Sequence, residues 1–110
     1  MSEAAVADHI DPRVARELWS SFVSLVRSYT AAHGLNGTRQ AVLEVSEGHL
    51  LVRAGERLLT VCFDGEHGRF ARESGPATAF TIDEHGRLII GGEAEEMDMV
   101  AERLAREIMR

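Results

Sequence analysis

The chain has 110 residues, 45% of them hydrophobic and 27% charged, enough for one folded domain with a real core and too few for two. Its formal net charge of −6 is spread along the chain, which argues against nucleic acid as a partner, because phosphates need clustered cations. All 12 basic residues are Arg, so a Schiff-base lysine and a P-loop lysine are both excluded. We read the missing Lys as the codon bias of a GC-rich, bacterial genome.

No apolar run approaches the roughly 20 residues of a membrane span, so no membrane partner is expected. The single cysteine, Cys62, leaves no internal disulfide and points to a reducing, cytoplasmic setting.

The expectation is a single α+β domain over residues 1–110, with residues 1–10 as a loose leader. Asp11 suits a helix N-cap and Pro12 the first helical position. Val14, Leu18, Phe22, Leu25, Val26 and Tyr29 then recur at helical steps, predicting a helix to about His33 that Gly34 and Asn36-Gly37 end. Its apolar arc, from Val14 round to Trp19 and Val23, covers close to half the cylinder. A helix lying on one sheet needs less. Trp19 and Val23 are therefore candidates to meet a second helix or a partner.

Between Ala41 and Ile90 the period falls to two. Turn signals at Glu47-Gly48, Gly55-Glu56, Glu66-His67-Gly68, Gly75-Pro76 and Glu84-His85-Gly86 divide this stretch into six short strands. Gly91-Gly92 closes the sheet. Met97, Val100, Ala101, Leu104, Ala105 and Ile108 then form the stripe of a second helix. Glu93, Glu95, Glu96 and Asp98 would lie in its first turns, and Arg103, Arg106 and Arg110 late, as the helix dipole favours. The predicted fold is thus an N-terminal helix, a six-stranded antiparallel β-meander and a C-terminal helix.

Within the meander, Glu66-His67-Gly68-Arg69 returns 18 residues later as Glu84-His85-Gly86-Arg87. Both copies suit a three-residue hairpin loop whose Gly takes the left-handed position. Two-residue turns at Glu47-Gly48 and Gly55-Glu56 pair Val45 with Leu50, Leu43 with Val52, Val52 with Leu59 and Leu50 with Val61. The three-residue loops set Phe63 near Ala71 and Ile82 opposite Leu88. One face then gathers Leu43, Val45, Leu50, Val52, Leu59, Val61, Phe63, Phe80, Ile82, Leu88 and Ile90, with Glu73 an intruder. The other face carries Val42, Leu51, Leu58, Cys62, Phe70 and Ile89 among polar residues, more apolar than a wet sheet face requires.

Chemistry-bearing residues are sparse. His49, His67 and His85 fall with several carboxylates on one rim of the meander, but alternate turns stand roughly 10 Å apart, too far for a shared metal. The reading is solvated turns and no metal. Cys62 lies mid-strand without a CxxC partner, and reads as a packed thiol. The acidic Glu93, Glu95 and Glu96 make Gly91-Gly92 unsuited to phosphate. No catalytic residues and no cofactor motif are identified, and the expectation is a protein that is not an enzyme.

The leading functional expectation is a protein-binding or assembly module, homodimeric, resembling secretion chaperones and immunity-type inhibitors in size and charge only. Its partner surface would comprise Trp19, Val23, Val42, Leu51, Leu58, Phe70 and Ile89. The alternative is a carrier of a small apolar ligand, with a pocket between the first helix and the sheet lined by Trp19, Phe22, Phe63 and Phe80.

Overall fold

A computed structural model of the chain describes residues 11–35 and 40–110, so the leader expected at residues 1–10 lies outside the described residues, as does the Asn36-Gly37 turn. Helix α1 spans Pro12–Leu35. Asp11 caps it twice: its side chain accepts from the Arg13 N–H at 2.8 Å, and its carbonyl from the Ala15 N–H at 2.9 Å.

Seven strands follow: β1 (Val42–Ser46), β2 (His49–Ala54), β3 (Arg57–Phe63), β4 (His67–Arg72), β5 (Thr78–Ile82), β6 (Arg87–Ile90) and β7 (Glu93–Glu96). Helix α2, Met97–Met109, ends the chain. The sheet is antiparallel throughout, and its spatial order β1 to β7 is the chain order. The helix–sheet–helix architecture is as expected, with one strand more. Glu93–Glu96 form β7 rather than the start of α2, because Gly91-Gly92 makes a two-residue turn with both glycines at positive φ. Only Asp98 is left as an acidic residue in the first turn of α2.

The first two hairpins pair as predicted, Val45 with Leu50, Leu43 with Val52, Val52 with Leu59 and Leu50 with Val61. The two Glu-His-Gly-Arg copies, however, fold differently. The second is the predicted loop: Gly86 has φ 80°, and Ile82 pairs with Leu88. In the first copy the turn lies earlier, at Asp64–His67, with Gly65 at φ 104°, and Phe63 pairs with Gly68 instead of Ala71. That is a shift by an odd number of residues, so every β4 side chain changes face. Phe70 moves to the inner face opposite Val61, and Glu73 leaves it.

Both helices cover this inner face. Trp19 stacks on Phe63 at 5.6 Å between ring centroids, Phe63 on Phe80 at 6.1 Å and Phe80 on Phe70 at 4.5 Å, with Phe22 against the last two. Helix α2 touches β2 and β3 on one flank and β6 and β7 on the other, so the sheet curls around it. It packs beside α1, and Tyr29 on α1 donates to Asp98 on α2 at 2.6 Å. Arg72 of β4 grips Glu107 in the last turn of α2 through Nε and Nη2, which donate to its two carboxylate oxygens, the longer contact being 3.1 Å. Among the described residues no helix is long and apolar enough to cross a membrane.

Candidate interaction surface

With both helices on one face, the other face of the sheet has no helix over it among the described residues. The register fixes which side chains stand there. One row across the strands runs His49, Cys62, Arg69, Ala79; a second runs Glu44, Leu51, Thr60, Ala71; a third runs Val42, Arg53, Leu58. Ile89 lies further on, opposite Thr81. Val42 is 56% exposed, and Leu51, Leu58 and Ile89 are half-buried by their strand neighbours.

Three of the seven residues expected on the partner surface are not on it. Trp19 and Val23 are buried in the chain's own core, and so is Phe70. α1 carries a wide apolar arc because it meets two neighbours, α2 and, through Trp19 and Phe22, the aromatic rings of the sheet, which accounts for the width without a partner. Phe70 is inside because of the earlier β3–β4 turn. Val42, Leu51, Leu58 and Ile89 do share the uncovered face. The pocket expected between α1 and the sheet is occupied by its own lining: Trp19, Phe22, Phe63 and Phe80 are in ring contact and all buried.

The turns on the rim are built by carboxylates acting as hydrogen-bond acceptors. Asp64 takes the N–H groups of Glu66 and His67 at 2.9 and 2.8 Å, and these hold its carboxyl below the ordinary aspartate value. Asp83 is partly desolvated, which opposes ionisation. The N–H groups of Arg87 and His85 and the Arg87 guanidinium outweigh that and lower it. Glu73 accepts from the Leu58 N–H at 3.0 Å and is lowered likewise. Among the described residues no three His, Cys, Asp or Glu side chains converge as a metal site would require.

Two features escaped the sequence. Arg69 stands directly opposite Cys62, whose other neighbour is His49; seeing this required the β3–β4 register. The second is the edge of the sheet. Val45 has the inner-face parity predicted for it yet is 44% exposed, because β1 lies at the margin of the helix pair. Beside β1, a groove of about 350 Å³ runs between the last turns of α1 and the start of the strand, lined by Arg27, Thr30, Leu35, Ala41 and Leu43 among others. The adjoining Leu35 is 84% exposed. Position was the available signal, since the first strand of a sequential meander is necessarily an edge.

Compared with protein-family models, with curated protein sequences and with solved structures, the chain matches none.

Proposed function

We propose that the chain is a non-enzymatic protein-binding or assembly module of the bacterial cytoplasm, assembling as a homodimer. The observation that carries this is the one-sided fold: two helices share the inner face, while Val42, Leu51, Leu58 and Ile89 stand on a face that no helix of the described residues covers. Apolar side chains so placed are a recurrent mark of contact surfaces. The aromatic side chains expected to line a ligand pocket pack against one another instead, which favours a surface over a carrier cavity.

Light scattering tests the reading. The expected mass is twice the 12.1 kDa of the chain. Leu51→Arg or Leu58→Arg should weaken association without lowering the melting temperature. A wild-type chain that stays at 12.1 kDa would refute self-assembly.

A further inference from the structure

The two edges of the sheet are unlike. β7 reads Glu93, Ala94, Glu95, Glu96, three carboxylates in four residues, which repel an incoming strand. β1 reads Val42, Leu43, Glu44, Val45, Ser46, with one charge. It has no such protection.

We propose that β1 is a self-pairing edge, at which two copies of the chain join antiparallel, Leu43 opposite Leu43, into one continuous sheet. The proposal rests on the assembly reading above, names its partner, and places the contact at the β1 edge rather than across the open face.

Backbone chemistry is the first support. The β1–β2 hairpin closes at Ser46 and His49 with a two-residue turn, so Ser46, Glu44 and Val42 spend their N–H and C=O groups on β2. The alternate residues Ala41, Leu43 and Val45 turn theirs to the open edge. A two-fold pairing centred on Leu43 sets Ala41 opposite Val45, so these are the residues that meet and bond.

Charge chooses the register and the symmetry. A pairing shifted to centre on Glu44 would set two carboxylates face to face. With Leu43 at the centre, each Glu44 lies opposite a Val42, whose β2 neighbour is Arg53. Glu44 then reaches across one valine toward Arg53 of the other copy. Neither residue has an ion-pair partner among the described residues of its own chain. Pairing β1 with β7 of the next copy would instead set Glu44 against the carboxylates of β7. The closed two-fold pairing is favoured over an open filament.

Apolar surface is the third support. A stable dimer buries roughly 800 Å² per partner, more than a five-residue ladder supplies. Three of the most exposed large apolar residues, Leu35, Val42 and Val45, belong to β1 or to the groove beside it, and supply the surface a second copy would cover.

The test measures dimer dissociation by light scattering and dilution for the full chain at about 50 μM and below. Val45→Pro removes an outward N–H where an edge strand tolerates proline, and Val45→Lys places a charge on an already exposed side chain. Both should give a folded monomer with unchanged circular dichroism. Glu44→Arg should raise the dissociation constant about tenfold or more, and Arg53→Glu in the same chain should restore it. A dimer that survives Val45→Lys, or a Glu44→Arg defect that Arg53→Glu does not repair, overturns the proposed pairing. If Leu51→Arg separates a dimer that Val45→Lys leaves intact, the open face is the contact: the assembly reading stands and the edge pairing falls. A wild-type monomer overturns both.

Discussion

Gly68 lies against the ring of Phe80, its partner across the β4–β5 ladder, and an added Cβ would come within 2.1 Å of the ring's Cζ. The glycine is there for its missing side chain. It lets Phe80 lie flat over the strand and stack on Phe70 at 4.5 Å and on Phe63 at 6.1 Å. Gly68→Ala should therefore destabilise the protein by about 1–3 kcal/mol, as overpacking in a filled core does. Denaturant melts would check this, and Phe80→Leu in the same chain should recover part of the loss by making room.

Leu104 is 3% exposed on the buried stripe of α2. Leu104→Ala should cost about 2–5 kcal/mol, the transfer of the removed atoms plus the cavity they leave. A denaturant midpoint shift equivalent to less than about 1 kcal/mol would mean that α2 is not part of the core.

Asp64, Asp83, Glu73 and Glu107 all have carboxyls held below their ordinary range by hydrogen bonds or by Arg72 and Arg87. A group with a lowered folded pKa binds protons first in the unfolded chain. Its contribution to stability is complete above the ordinary carboxylate range, around pH 4, and is lost as pH falls through the lower folded values. Melting temperature should be flat from about pH 5 to 7 and drop steeply below about pH 4. Asp83→Asn, which keeps the shape but not the charge, should lower the plateau and flatten the acid limb.

The rim histidines should be indifferent to metals. EDTA should leave the melting temperature unchanged, and added zinc should not raise it by more than about a degree. A zinc-dependent rise that His67→Ala abolishes would contradict the solvated-turn reading.

The start of α1 and the first two hairpins could be read from the residues because local chemistry decides them: Asp11 and Pro12 start α1, and the two-residue turns fix β1 to β3. The next hairpin could not be read by analogy with its repeat. Asp64 is followed by Gly65, whereas Asp83 is followed by Glu84, and the glycine starts a two-residue loop one position ahead of the Glu-His pair. β7 was hidden for another reason. Its carboxylates carry no apolar alternation, and only the Gly91-Gly92 turn and the ladder to β6 make it a strand. Of the candidate surface, Val42, Leu51, Leu58 and Ile89 were legible from strand parity. Trp19 and Val23 were not, because helix periodicity shows how wide an apolar face is and not which neighbour fills it.

Strand order that copies chain order also shapes how this protein acquires its structure. Each strand pairs with the next, so the sheet can zip from hairpin to hairpin, each step closing only a short loop. The Tyr29–Asp98 seam is different, joining residues 69 positions apart, and loop-closure entropy makes it the costlier contact to form early. If the seam forms last, then Val100, buried in α2, is absent from the folding nucleus. Truncating it would hasten unfolding while leaving the folding rate nearly untouched.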